Sequence, residues 1–422
     1  MHLRMIVRSM VALLALGIWG LVYPAHAAPD EEFRSFVEGV WPEAKAKGVS
    51  RPMFDRAFQG VEPDLTLPDL VLPGRPKSGA QGQAEFIRPP QDYLNKTQLA
   101  RLAEQGKGFA AQHAGALTQI EHELGVERSV VMGIWGRETA FGTYKLPHYA
   151  IKALATLAYV GRRKEMFRPE LVLGLKMLED GVVTVATMRS SWAGAMGMPQ
   201  FLPSEYYRYA YDLDQDGRKD IWLSVPDALA SAAKQLKDKG WVTGVPWGFE
   251  VKLPPKVDCA NEGPPDAKAL REWARLGVKR ADGRAFPETN LDQPAYLMSP
   301  GGSHGPSFLV TDNFKVIRLY NTSDLYAVFV GNLGDRIVGG GDFLTPWKGI
   351  GQLPTAEIEE MQKRLQSAGL AIDKIDGMIG SNTRRQIGLY QRKAGLGVDC
   401  WPSAGTLAAL RRGAGAPATA QK

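Results

Sequence analysis

The sequence predicts a mainly α (α+β) protein, and three observations carry that prediction. Between residues 92 and 240 apolar residues recur at helical spacing, in stretches such as 130–135, 150–160 and 171–178. Between 241 and 330 short β-prone runs, 249–253, 295–298 and 307–310, stand among Pro and Gly breakers and predict a small strand-containing subdomain. Beyond Gly339-Gly340-Gly341 helical spacing returns in a short segment of its own. The 422 residues are 44% hydrophobic and 23% charged, which suits several globular domains at roughly 150 residues each and excludes a disordered or fibrous chain.

In chain order, residues 1–27 read as a secretory signal peptide. Arg4 and Arg8 precede a short apolar run at 11–22, and Ala25-His26-Ala27 offers a small-residue cleavage site. The run falls short of the ~20 apolar residues that a membrane span needs, and no Cys follows the cleavage site to take a lipid anchor. Losing Arg4 and Arg8 lowers the formal charge of +6 by two, and the remaining surplus is spread along the chain. That argues against a nucleic-acid partner and suits an anionic polymer. Residues 30–59 carry Phe33, Phe36, Val37 and Val40 on one helical face, while the Pro and Gly residues of 61–85 predict an exposed loop. A helix resumes at 325–333. Residues 346–354 then read as a linker between a catalytic region (28–345) and a small helical domain (355–411), with helices starting near Thr355 and Ser381 and a disordered tail at 412–422. Few contacts are expected to cross this boundary, so each part is expected to fold alone. Cys259 and Cys400 are the only cysteines; their spacing does not establish a bridge, and two unpaired buried thiols are the preferred reading.

Three segments bear on chemistry. In 130–142, VVMGIWGRETAFG, read as a helix ended by Gly142, Glu138 lies four residues after Ile134 and three after Trp135, so its carboxylate projects from the apolar face while Arg137 points elsewhere. Apolar surroundings disfavour the anion, a condition for proton delivery near neutral pH; a structural Glu is the bland alternative. In 191–201, SWAGAMGMPQF, small residues leave room for close approach of backbone or ligand, and Gln200 offers both a donor and an acceptor. In 212–220, Asp212, Asp214, Asp216 and Asp220 with Gly217 and the Arg218 carbonyl reproduce most of an EF-hand calcium loop. Leu223 stands where that loop wants a bidentate acid, so another group must substitute or affinity falls.

WGRETAFG, followed by SWAGAMGMPQFLPS and then RLYNTSDLYA, resembles the membrane-bound lytic transglycosylase B family of peptidoglycan-cleaving enzymes, over about residues 33–343. LQSAGLAIDKIDGMIGSNTRRQIGLYQRKAGLGVD resembles the three-helix peptidoglycan-binding domain of wall hydrolases. The resemblance implies a lysozyme-like catalytic domain with Glu138 as acid/base. It implies substrate contacts from Ser191, Gln200, Tyr320, Asn321 and Tyr326, and from Arg163 toward substrate carboxylates. Some members carry calcium at the acidic loop, so structural Ca2+ is expected there and no cofactor is required. The implied reaction cleaves between N-acetylmuramic acid and N-acetylglucosamine, with the substrate's acetamido oxygen assisting, and leaves a 1,6-anhydro product. A muramidase using the same Glu138 with water, and a non-catalytic wall-binding scaffold, are the alternatives. A periplasmic monomer is expected, with peptidoglycan and wall-synthesis proteins as its partners.

Overall fold

The computed structural model describes residues 29–72 and 88–413; the expected signal peptide, part of the 61–85 loop and most of the expected tail lie outside the described residues. Two helices, Arg128–Thr139 and Asp324–Ile337, form the centre of the catalytic region. They approach closely because glycine stands at both crossing points. A Cβ on Gly133 would sit 2.2 Å from the Val330 carbonyl oxygen, and one on Gly334 would sit 2.2 Å from the Ser129 carbonyl oxygen. Any side chain at either point forces the axes apart, because the interior is close-packed. Helices Lys96–Gln112, Ala114–Leu124 and Val225–Asp238 close around this pair over Leu99, Leu117, Ile120 and Leu229.

A second core joins helices Ala150–Val160 and Lys164–Glu179 to three short N-terminal helices through Phe33, Val37, Val40, Phe54, Leu154 and Leu171. The expected exposed loop at 61–85 is corrected over its described part. Leu67 and Leu70 are buried in this core, the Asp64 amide donates to Thr156 Oγ1 at 2.9 Å, and the Val71 amide donates to the Val160 carbonyl at 2.8 Å. Proline and glycine marked broken helix correctly, but they carry no information about burial.

The three predicted strands are present. They belong to an antiparallel sheet in the order Lys268–Ala269, Pro294–Met298, Ser307–Val310, Gly248–Lys252, Lys279–Arg280. Leu309 pairs with both Phe249 and Leu297, and all three face a small core around Trp273. Tyr296, Met298, Phe308 and Val310 face the opposite way, into the core of the central helix pair. Period-two alternation therefore places the sheet between two apolar layers.

The predicted helix 130–142 ends earlier, at Thr139. Ala140, Phe141 and Gly142 follow with φ of 46°, 60° and 75°. Left-handed backbone at two non-glycine residues costs of order 1–3 kcal/mol each and persists where packing enforces it. Here Phe141 is buried, with its ring 5.4 Å from that of Trp135 and 5.4 Å from that of Phe109.

Helices Thr355–Ser367, Ser381–Lys393 and Ala404–Arg412 enclose Met361, Leu365, Ile387, Tyr390 and Leu407. The expectation of few contacts across the boundary is overturned. Cys259 and Cys400 form a disulfide, which corrects the reading of two unpaired thiols. Arg384 is buried against Glu262 and Asp324, while Arg385 pairs with Asp266 at 2.7 Å and Arg392 with Asp258 at 2.8 Å. The linker is seated too: a Cβ on Gly305 would sit 2.2 Å from the Trp347 ring, and the Lys348 amide donates to the His304 carbonyl at 2.7 Å. Among the described residues no helix is long and apolar enough to cross a membrane.

Candidate active site

Glu138 lies half-buried in the last turn of its helix, two residues before the backbone turns left-handed at Ala140. The Tyr326 hydroxyl donates to Glu138 Oε1. Tyr326 is fixed by its place in the first turn of the Asp324–Ile337 helix, where the N-cap Ser323 hydroxyl accepts the Tyr326 amide at 3.3 Å. Burial, and then the Glu138 charge, hold the Tyr326 phenol well above its ordinary pKa, so it remains a proton donor.

The Tyr320 ring stacks on that of Tyr326, with centroids 6.4 Å apart and planes 13° from parallel. Its hydroxyl donates to the Pro199 carbonyl and so ties the 191–201 loop to the two tyrosines. Thr139 Oγ1 donates to the Met198 carbonyl at 3.3 Å, which ties the same loop to the Glu138 helix. Gln200, with φ of 57°, donates Nε2 to the Gly197 carbonyl at 2.9 Å. Ser191 closes the loop: its amide donates to the Ala195 carbonyl at 2.8 Å, and its hydroxyl accepts the Ala195 amide at 3.3 Å. The small residues here serve backbone approach, since a Cβ on Gly197 would sit 2.7 Å from the Ile221 carbonyl oxygen. Asn321 Oδ1 accepts the Ser323 amide at 3.2 Å at the start of the Tyr326 helix.

Glu138, Tyr326, Tyr320 and the Pro199-Gln200 turn are thus joined by direct contacts. Arg163 belongs elsewhere: its guanidinium donates to Asp69 Oδ2 at 2.7 Å and lies over the Phe167 ring. Arg137, expected to point away, is part of the Glu138 surroundings. Its guanidinium lies 5.2 Å from the Tyr93 ring centroid, 5.3 Å from Phe329 and 5.9 Å from Tyr326, and Nε donates to the Tyr93 hydroxyl at 3.0 Å. Burial opposes its charge, but Tyr93 and Glu138 outweigh burial and hold it above the usual arginine range. A helical wheel separates neighbours by about 100° and gave no sign of this, because the aromatic cage comes from two other helices. A second carboxyl, the half-buried Glu205, acts on Tyr320 electrostatically. Its oxygens accept the Leu202 amide at 3.1 Å and the Gln235 amide group at 2.7 Å. Burial raises its pKa first of all.

In the acidic loop, carboxylate oxygens of Asp212, Asp214 and Asp227 lie within 4.8 Å of one another. Asp212 Oδ1 is buried without a hydrogen-bond partner, which is the condition of an oxygen shaped for a cation. Burial leads the causes that raise the Asp227 pKa, with Asp214 and Asp212 adding repulsion. Asp216 and Asp220, expected as ligands, fall outside this group. Asp216 accepts the Arg218 amide at 2.8 Å, and Asp220 accepts the Trp222 and Leu223 amides at 2.8 and 2.9 Å. Leu223 is 85% exposed, and the third carboxylate of the group comes from Asp227, four residues on in the Val225–Asp238 helix.

The helical frame, the Glu138–Tyr326 pair and the tyrosine-anchored loop define a lysozyme-like protein of the transglycosylase class. The chain belongs to the Transglycosylase SLT domain family, which matches residues 32–335, and residues 354–410 match a peptidoglycan binding domain family. It is therefore an enzyme of the lytic transglycosylase class with an attached peptidoglycan-binding-type domain. Membrane-bound lytic murein transglycosylase B of Escherichia coli K12 is 29% identical over 277 residues, covering 62% of this chain and 70% of that protein. SltB3 of Pseudomonas aeruginosa, solved in complex with NAG-anhNAM-pentapeptide, is 38% identical with a TM-score of 0.81, covering 90% of this chain and 99% of that one. The Escherichia coli lytic transglycosylase Slt35, solved in complex with calcium, is 25% identical with a TM-score of 0.58, covering 73% and 93%.

Proposed function

We propose that this chain cleaves the β-1,4 bond between N-acetylmuramic acid and N-acetylglucosamine in peptidoglycan and leaves 1,6-anhydromuramic ends, with Glu138 as acid and then base. The contact that carries this reading is the Tyr326 hydroxyl on Glu138 Oε1, which fixes one carboxyl oxygen and leaves the group oriented for proton transfer. The cycle balances on one carboxyl. Glu138 gives its proton to the glycosidic oxygen as the bond to C1 breaks, and the muramic acid acetamido oxygen stabilises the positive C1. The Glu138 carboxylate then takes the proton of the 6-hydroxyl, whose oxygen bonds to C1. Glu138 ends protonated, and no water is consumed. Ordinary glycosidases need a second carboxylate beside the bond; the other carboxyl near Tyr320, Glu205, accepts the Leu202 amide and the Gln235 side-chain amide. That SltB3 is solved in complex with NAG-anhNAM-pentapeptide supports the same outcome here.

Gln200, Asn321, Tyr320 and Ser191 shape and line the sugar cleft, while Arg163, bound to Asp69, meets substrate only if it leaves that partner. Residues 212–227 hold a structural calcium through Asp212, Asp214 and Asp227; the ion would neutralise three converging carboxylates and fix the turn before the Val225–Asp238 helix. No other cofactor is called for. Export by residues 1–27 to an oxidising periplasm suits the Cys259–Cys400 disulfide. Residues 355–411 hold the wall polymer as a domain docked on the catalytic region.

The test is mass spectrometry of products from purified sacculi. Products lighter than hydrolytic ones by one water are expected. Glu138→Gln is expected to lower activity at least ~100-fold with the fold intact. Hydrolytic products would establish a muramidase, and retained activity in the variant would remove Glu138 from the reaction.

A further inference from the structure

Tyr326, whose hydroxyl rests on Glu138, shares its helical turn with a buried charge. Asp324 stands two residues earlier in the first turn of the Asp324–Ile337 helix, about 200° around the axis from Tyr326. The two side chains therefore leave one turn on opposite faces, Tyr326 toward Glu138 and Asp324 toward the C-terminal domain. Asp324 is buried and gripped at both oxygens. Its Oδ1 lies 3.0 Å from Arg318 Nε, and its Oδ2 accepts from Arg384 Nη2 at 3.0 Å. Arg318 is a near neighbour in the chain, whereas Arg384 lies 60 positions on, in another domain.

Arg384 is itself fixed on its other sides. Nε donates to the two Glu262 oxygens at 3.2 and 3.1 Å, and Nη1 donates to the Ile379 carbonyl at 3.0 Å. Glu262 is held in turn by the Ser299 amide at 3.1 Å. A planar guanidinium bound at three nitrogens has little freedom to shift, so Asp324 meets a rigid partner. The remaining interdomain bonds lead elsewhere: Arg385, Arg392 and Cys400 all attach to the 258–266 segment, through Asp266, Asp258 and Cys259.

We propose that Arg384 is a positioning residue for the reaction: through Asp324 it fixes the helical turn that sets the Tyr326 hydroxyl on Glu138, so the catalytic unit of this chain includes its C-terminal domain. The proposal rests on the reading of Glu138 as acid and base, and it gives that domain a part in the chemistry beyond holding polymer. A hydrogen bond weakens steeply as its angle degrades, and catalytic groups tolerate displacements of only about 0.5 Å. A small shift of this turn is therefore felt at Glu138.

Kinetics of the full-length protein on soluble glycan strands test this, since retention on insoluble wall then plays no part. Asp324→Asn keeps the Arg384–Glu262 pair but weakens its hold on the turn; kcat should fall at least about 3-fold with KM little changed. The alkaline limb of kcat/KM should move to higher pH, as it should when Glu138 loses its donor. In a Tyr326→Phe background the same substitution should have little further effect, because the hydroxyl it displaces is gone. Arg384→Met combined with Glu262→Gln should repeat this pattern, while Arg392→Gln, which breaks a different interdomain pair, should leave kcat unchanged. Circular dichroism and Tm check that each variant is folded at the assay temperature. Unchanged kcat in Asp324→Asn, an equal loss with and without the Tyr326 hydroxyl, or an equal loss in Arg392→Gln would each overturn the proposal. Retained activity in Glu138→Gln would instead remove the acid/base reading; an inactive Glu138→Gln with additive losses at Asp324 and Tyr326 would remove this proposal alone.

Discussion

The guanidinium of Arg384 in the C-terminal domain is buried against the carboxylate of Glu262, 122 positions earlier, and its Nη2 also reaches Asp324 Oδ2 at 3.0 Å. Asp324 begins the helix that presents Tyr326 to Glu138. The wall-binding-type domain is thus joined by one buried cation to the helix that orients the candidate acid. Burial pushes the Glu262 carboxyl up to about 7 even against the opposing effect of Arg384.

Arg384→Met should destabilise the protein by ~3–5 kcal/mol, because it leaves two acidic groups buried without their cation. The double variant with Glu262→Gln should recover part of that loss. Urea midpoints measure both; equal stability of the single and double variants would show that Arg384 contributes no compensation. Truncation near Pro346 removes both Arg384 and Cys400, so the truncated chain should melt below the intact protein rather than fold as an autonomous catalytic unit.

Tyr326→Phe removes the hydroxyl on Glu138 while keeping the stacked ring. Activity on sacculi should fall ~10-fold or more, in line with the loss of a hydrogen bond to a charged group. The alkaline limb of the kcat/KM profile should also move to higher pH, since Glu138 must start protonated and its anion has lost a donor. A lower rate with an unchanged pH profile would assign Tyr326 to packing alone.

Calcium should raise Tm, because a ligand held only by the folded state stabilises it, by about 2.7 kcal/mol at 100 times its Kd. Asp227→Asn and Asp212→Asn should each abolish the shift, whereas Leu223→Ala, at an exposed position, should retain it. Equal Tm with calcium and with chelator would leave the loop an acidic turn.

Asp335 receives the Trp247 indole N–H at 2.9 Å, and burial lifts its pKa to about 6. A carboxyl raised in the folded state stabilises fully below its unfolded pKa and loses that contribution as pH rises through the folded value. Between about pH 4 and pH 6 this group alone should cost the fold ~3 kcal/mol. Asp335→Asn should therefore show a smaller fall in Tm across that window than the unmutated protein.

Local pattern was sufficient for much of this molecule. Helical spacing marked the helices that hold Glu138 and Tyr326, alternation marked the strands around Leu309, and motif order marked the family, since each depends on residues a few positions apart. Only tertiary structure could bring in partners from distant segments. Asp227 joins Asp212 and Asp214 because a helix start folds back onto the acidic loop. Arg137 joins the site because Tyr93 and Phe329 arrive from other helices. Cys259 meets Cys400, and Arg384 meets Glu262, because two domains that read as separate bury charge and sulfur between them. Periodicity along the chain reports which face of an element is buried; it carries no information about which other element covers that face.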